Sequence, residues 1–321
     1  MKSLHRLLSL LLVGVIATAL SPAAQAADNV LRIGYQKYGT LILLKARGTL
    51  EKRLAPLGVS VTWSEFPAGP QLLEGLNVGS IDFGTVGETP PIFAQAANAQ
   101  ITYVGYEPPA PAGEAIVVPK DSPIKSVAEL KGKKIALNKG SNVHYLLVRA
   151  LEQAGLQYSD VEVVFLPPAD ARAAFERGSV DAWVIWDPFL AAAETSIGAR
   201  VLKDGKSTVN NHQFYLAEKT YATRRPDVIA AAFEELKKVD EWAQSQPKEV
   251  AEALAPLTGL NVPTLERALA RGGYGASYLN EKVITEQQKI ADTFFNLKLI
   301  PKQLSIREVV WLPQDSKSAK K

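Results

Sequence analysis

Three observations predict an α/β fold of two lobes facing one another across a cleft. Short β-type runs alternate with helical ones through most of the chain, the pattern of α/β sheets. A set of loop landmarks occurs twice in the same order, so one βαβαβ unit follows another. After about Tyr221 the strand alternation stops, and the remaining helical runs read as packing helices that return to cover the first lobe.

The first unit opens with LRIGYQ (31–36) as a strand, then a helix over 41–57 that Gly58 closes as a C-terminal cap. VSVTWSEF (59–66) alternates like a strand. A helix over 70–77, the strand IDFGTV, a helix over PPIFAQAANA and the strand ITYVGYE complete the unit. The second unit repeats the order: KKIAL, the amphipathic helix VHYLLVRALEQAG, VEVVFL, the helix ADARAAFERG, VDAWVIW and the helix PFLAAAETSIG. Crossings between the lobes are expected near Pro108–Gly113 and Val209–Phe214. The domain division is 27–111 plus 216–321 for the first lobe and 112–215 for the second.

The duplicated landmarks are specific. Gln36-Lys37-Tyr38-Gly39 parallels Asn138-Lys139-Gly140-Ser141, and Glu65 to Pro70 parallels Phe165 to Asp170. Leu76-Asn77-Val78-Gly79-Ser80-Ile81-Asp82-Phe83 parallels Phe175-Glu176-Arg177-Gly178-Ser179-Val180-Asp181-Ala182. Gly87-Glu88-Thr89-Pro90-Pro91 parallels Ile185-Trp186-Asp187-Pro188.

The N-terminus reads as a secretory signal peptide over residues 1–26. Lys2 and Arg6 precede an apolar run from Leu7 to Leu20, and Ala24-Gln25-Ala26 offers a small-x-small site with cleavage after Ala26. Removing Lys2 and Arg6 takes the formal charge from +3 to +1. A nearly neutral chain gives no electrostatic case for nucleic acid or an anionic membrane surface. The cysteine count is 0, which excludes disulfides, thiolate metal sites, a cysteine nucleophile and a lipid-modified cysteine. An exported chain of this kind points to the periplasm of a Gram-negative bacterium. Only two histidines follow the expected cleavage site, and no cluster of histidines with acidic residues has metal-ligand spacing. No G-x-S-x-G elbow occurs either. No catalytic residue, metal or cofactor is expected.

In open α/β sheets ligands bind beyond the carboxyl ends of strands, where helix N-termini point. Two lobes facing one another enclose a cleft lined by paired helix starts, which suits a small anion: backbone N–H groups donate and helix dipoles favour negative charge. Gly39, Gly69, Gly87 and Gly140 let backbone approach a ligand, and Thr40, Thr85, Thr89, Ser141 and Asn142 add side-chain donors. Ser141 and Asn142 taken alone read as helix caps; taken with matching loops in both lobes they read as an anion seat. Glu88 and Asp187 read first as acidic N-terminal caps, with repulsion of dianions or pairing with a ligand amine as the functional addition. Trp183 reads as core, Trp186 as an apolar wall for a ligand's carbon chain, His144 as helix surface or a support behind the ligand, and Tyr215 as cleft-facing.

The stretches EFPAGPQLLEGLNVGSIDFGTVGETPPIFAQAA, YEPPAP, SPIKSVAELKGKKIALNKGSNVHYLLVRALEQAGL and PADARAAFERGSVDAWVIWDPF closely resemble the periplasmic aliphatic sulfonate-binding proteins of ATP-binding cassette (ABC) importers. The resemblance runs from Leu31 to Gly205 and more loosely to IREVVW (306–311). It implies a periplasmic-binding-protein fold with two crossovers (type II), capture of an alkanesulfonate, and delivery to an inner-membrane ABC permease and its ATPase for sulfur acquisition. It also implies ligand contacts at Gln36, Gly69, Gly87, Glu88, Thr89, Gly140, Ser141, Asn142, Trp186 and Asp187, and a monomer. The alternatives left open are the same role for taurine, nitrate or another small anion, and a secreted enzyme on the same fold.

Overall fold

A computed structural model describes residues 29–311. The expected signal peptide with its cleavage site, and the lysine-bearing tail from Lys317 to Lys321, lie outside the described residues.

Two five-stranded sheets divide the chain. The first contains β1 (Val30–Tyr35), β2 (Ser60–Glu65), β3 (Phe83–Gly87), β4 (Ile101–Tyr106) and β10 (Gln213–Glu218), in the order β2-β1-β3-β10-β4. The second contains β5 (Glu114–Val118), β6 (Lys134–Leu137), β7 (Glu162–Phe165), β8 (Ala182–Trp186) and β9 (Arg200–Asp204), in the order β7-β6-β8-β5-β9. In each sheet the fourth strand is the antiparallel one and arrives directly from the other lobe: β10 pairs antiparallel with β3 and β4, and β5 with β8 and β9. The chain therefore crosses twice, between Tyr106 and Glu114 and between Asp204 and Gln213. Position 215 falls inside β10, so the second crossing is complete before the expected division at 215/216.

The helices are α1 (Thr40–Arg47), α2 (Thr49–Leu54), α3 (Gly69–Asn77), α4 (Pro90–Ala96), α5 (Asn142–Gln153), α6 (Pro168–Glu176), α7 (Phe189–Ser196), α8 (Lys219–Arg224), α9 (Pro226–Ser245), α10 (Pro247–Thr258), α11 (Val262–Leu269) and α12 (Glu281–Asn296). The single helix expected over 41–57 is two helices and a short 3-10 turn. Gly48 takes φ 61°, and its N–H closes on Leu44, ending the first. A left-handed residue terminates a helix because the next carbonyl no longer points along the axis.

Apolar residues bury both faces of the first sheet. Leu41, Leu44, Leu50, Ile229, Phe233 and Leu236 form the core with α1, α2 and α9 on one face. Leu72, Leu76, Ile92, Ile284, Ile290 and Phe294 form it with α3, α4 and α12 on the other. The second lobe has one continuous core, built on Ile116, Ile135, Val143, Leu147, Trp183 and Leu190.

The duplicated Gly-Ser-Ile/Val-Asp motif does the same structural work in both lobes. Gly79 and Gly178 take φ 69° and 70° just past α3 and α6. The following Ser80 and Ser179 N–H groups return to Gly75 and Ala174. Asp82 then accepts the Arg32 N–H at 2.8 Å and Asp181 the Lys134 N–H at 2.8 Å, fastening the loop to the neighbouring parallel strand.

Candidate functional site in the cleft between the lobes

The two lobes are in contact. A Cβ placed on Gly87, at the end of β3, would lie 2.9 Å from the Cβ of Asn142, at the start of α5. A Cβ placed on Gly140, which takes φ 70°, would likewise lie 3.3 Å from the Phe93 ring. Both glycines are needed for close approach of one lobe to the other. On that side of the cleft His144 is wedged between the lobes, its ring centroid 6.2 Å from Phe93 and 5.4 Å from Phe294. It is 1% exposed, not a surface residue, because α5 turns this face toward the first lobe. Burial lowers its pKa to about 4.

The start of α5 carries no side-chain cap. The Ser141 hydroxyl donates back to the Asn138 carbonyl at 2.7 Å, and the Asn142 amide donates to Glu114 and, at 3.1 Å, to Asn211 in the second crossover. Neither residue spends its side chain on the helix it opens, so the capping role expected of them is absent.

Glu88 and Asp187 part company. Asp187 does cap its helix, its Oδ1 accepting the Ala191 N–H at 3.0 Å. Glu88 does not: its Oε2 accepts the His212 N–H of the crossover at 3.0 Å, and its Oε1 is buried without a partner. Burial raises Glu88 to about 7, and burial raises Asp187 to about 7 against the opposing pull of Arg271.

Two cavities flank these contacts. One, about 70 Å³, is several times the 10–15 Å³ that a single water needs. It is lined by the β1–α1 loop from Lys37 to Thr40, by Glu107 and Asn211 of the crossovers, by Asp187, and by Arg271 and Tyr274 beyond α11. The other, about 400 Å³, lies beside Glu88, Tyr145, His212, Glu286 and Gln287. Asp187 lines the first cavity and Glu88 the second. Gln36 is buried behind, its amide donating to the Thr85 carbonyl at 3.0 Å, and Gly69 packs on Pro90 at the start of α4. Thr89 is fully buried with its hydroxyl unpartnered, and Trp186, 2% exposed with an unpartnered Nε1, sits edge-on to Phe189. Gly87, Gly140, Ser141 and Asn142 meet at the surface between the lobes.

Several residues here escaped the sequence reading. Glu107 lines the smaller cavity with Oε2 unpartnered, while its Oε1 accepts from the hydroxyls of Thr40 at 3.1 Å and of Tyr215. Burial, then the neighbouring Asp240, raises its pKa well above the carboxylate range. Tyr215 therefore stands behind Glu107, stacked on Phe83 in the core, and does not face the cleft. Glu114, Asn211 and Arg271 were missed as well. Among the described residues no group of His, Asp and Glu is placed to hold a metal ion, and no helix is long and apolar enough to cross a membrane.

Comparison with known proteins gives a consistent picture. Residues 57–250 match the family model described as NMT1/THI5 like. A protein of Escherichia coli (strain K12), named as an aliphatic sulfonates-binding protein, is 45% identical over 313 residues, 97% of this chain and 98% of its own. The alkanesulfonate-binding protein SsuA from Xanthomonas axonopodis pv. citri, bound to MOPS, superposes with a TM-score of 0.85 at 43% identity, covering 88% of this chain and 98% of its own. The periplasmic aliphatic sulphonate binding protein SsuA from Escherichia coli gives 0.81 at 46% identity, covering 89% and 92%.

Proposed function

The chain belongs to the NMT1/THI5-like family, and from that premise we propose that it is a periplasmic solute-binding protein that captures aliphatic sulfonates and hands them to an ABC permease. The observation that carries the reading is the near whole-length likeness to sulfonate-binding proteins, which spans both lobes. The sulfonate seat we propose is the start of α5, Gly140 to Asn142, facing Gly87 to Thr89 across the cleft. Gln36 and Gly69 shape the first lobe's side of it, and Trp186 and Asp187 close the second lobe's side.

The chemistry supports that choice. A sulfonate is a permanent monoanion with three acceptor oxygens and no donor. The Gly140 N–H donates to His144 Nδ1 at 3.3 Å and the Ser141 N–H to the Asn138 carbonyl at 3.3 Å, so the helix start offers an anion the N–H groups of Asn142 and Val143 and the positive end of the helix dipole. Glu88, raised to about 7 by burial, is only partly ionised near neutral pH and so repels an anion less than a full carboxylate would. Two crossovers between separate sheets suit opening and closing by hinge motion, with contacts from both lobes stabilising the closed form.

The reading extends to a signal peptide cleaved after Ala26, a monomer in the periplasm, a division of the lobes within the two crossovers, and capture without turnover. Calorimetric titration of the mature, ligand-stripped protein tests it. Short and longer alkanesulfonates are expected to bind tightly and sulfate weakly; taurine or nitrate winning over every alkanesulfonate would move the ligand class, and loss of titrated substrate would reveal an enzyme.

A further inference from the structure

The smaller cavity sets a problem for an anion receptor, because Asp187 lines it with a buried carboxyl group. Its answer comes from the opposite lobe. Arg271, just past α11, places Nη2 3.2 Å from Asp187 Oδ1 and Nε 3.0 Å from Oδ2. The same guanidinium donates to Glu194 of α7 at 2.8 Å. Glu194 already has a partner of its own: Arg267 of α11 grips both its oxygens, at 3.0 and 2.7 Å. With Arg267 assigned to Glu194, Arg271 is the cation that balances Asp187. Arg267 lies on α11, whose Leu265 joins the first lobe's core, and Arg271 follows just beyond that helix, whereas both acids belong to the second lobe. The Thr195 and Thr264 hydroxyls, 2.9 Å apart, join the same two helices beside them.

We propose that Arg271 is a specificity-determining residue for anion capture: delivered by the first lobe as the cleft closes, it neutralises Asp187 of the second, so that an anion is accepted beside that carboxylate. The inference rests on the sulfonate reading. When the lobes part, Arg271 leaves with α11 and the turn that follows it, and Asp187 faces the cleft unbalanced. Closing then removes a repulsion that only the paired state lacks, so anion binding and closure favour one another. A carboxylate and a sulfonate held close in a water-poor cavity repel strongly, whereas an ion pair presents little net charge.

A latch that merely holds the lobes together makes a different prediction, and a double-mutant cycle separates the two. Propanesulfonate affinity is measured by calorimetry for wild type, Arg271→Gln, Arg271→Lys and the double variant Arg271→Gln with Asp187→Asn. If Arg271 acts by neutralising Asp187, Arg271→Gln weakens binding on the order of 100-fold and Arg271→Lys less than tenfold, since charge is kept and only the fork is lost. The double variant then regains at least tenfold over Arg271→Gln. A latch gives no such recovery, because removing Asp187 leaves the link broken. No gain in the double variant overturns the inference and leaves the sulfonate reading standing; a wild type that binds no alkanesulfonate overturns both. Should Arg271→Gln melt below the assay temperature, the Arg271→Lys arm decides: a loss as large as 100-fold there contradicts charge neutralisation.

Discussion

The two lobes are built from one plan, yet matched positions in them do different work. Each has a parallel run of three strands, an antiparallel fourth strand borrowed across the crossover, and the same Gly-Ser-Ile/Val-Asp clamp. The helices after β10 break the symmetry, since they return to the first sheet and bury both its faces. Arg267 on α11 and Arg271 in the turn after it reach across to the second lobe. The acidic residues at the equivalent strand-to-helix loops record the result: Asp187 caps its helix and meets an arginine, while Glu88 does neither and holds a backbone N–H of the crossover. A duplicated scaffold fixes where loops point; what those loops then meet depends on the unduplicated helices.

The largest contrast should appear in the shared clamp. Asp82 is 2% exposed and also accepts from the Arg32 guanidinium, Nε at 2.9 Å and Nη2 at 2.5 Å. Asp181 is only half-buried and holds the Lys134 N–H. Asp82→Ala is therefore expected to destabilise by about 3 kcal/mol and Asp181→Ala by about 1 kcal/mol. Urea unfolding measures both; equal losses would mean that the arginine adds nothing to the first lobe's clamp.

The next effect concerns the surface where the lobes meet. Gly87→Ala puts a methyl 2.9 Å from Asn142, which is itself held by Glu114 and Asn211 and has little freedom to give way. Closure suffers before folding does. Alkanesulfonate affinity should fall about tenfold or more, and small-angle scattering should show weaker compaction at saturating ligand. An unchanged affinity would remove this contact from the closed state.

Proton linkage gives a smaller, signed difference between Glu88 and Asp187. Each carboxyl is raised to about 7 when folded, from 4.5 for Glu88 and 3.8 for Asp187. A raised acid stabilises fully below its unfolded value, and that contribution is lost as pH rises through about 7. Glu88→Gln cannot lose it, so its melting temperature should gain on the wild type between pH 5 and pH 7.5. Asp187→Asn should gain about as much over that range but from a lower starting stability, because losing the charge opposite Arg271 costs the same at every pH. His144, lowered to about 4, destabilises all three proteins alike on acidification and cancels from the comparison.

Much of this architecture is legible along the chain because it is local. Strand alternation, helix periodicity and the duplicated Gly-Ser-Ile/Val-Asp motif each reside within a dozen residues. The break at Gly48 is not, since LLKARGTLEKRL keeps a helical pattern through a glycine that a helix tolerates. Nor is Glu107, whose partners Thr40 and Tyr215 lie 67 and 108 positions away. Arg271 reads in sequence as an ordinary cation near a helix end, and only the approach of α11 to the second lobe gives it Asp187.

The smallest expected effect is the sharpest test of equivalence between the lobes. Gly79 and Gly178 both sit in the left-handed region just past a helix, and a Cβ on either would meet nothing within 4 Å. Alanine at either position therefore carries only the backbone penalty of a positive φ, about 1 kcal/mol, with no packing change to obscure it. The two single variants should lose equal stability in urea, and the double variant should lose their sum, since each acts on its own sheet. Unequal losses would show that one lobe relaxes its turn where the other cannot; a double loss larger than the sum would mean that the clamps communicate through the cleft. Either result would locate the asymmetry of the molecule in its scaffold and not only in the helices that were added to it.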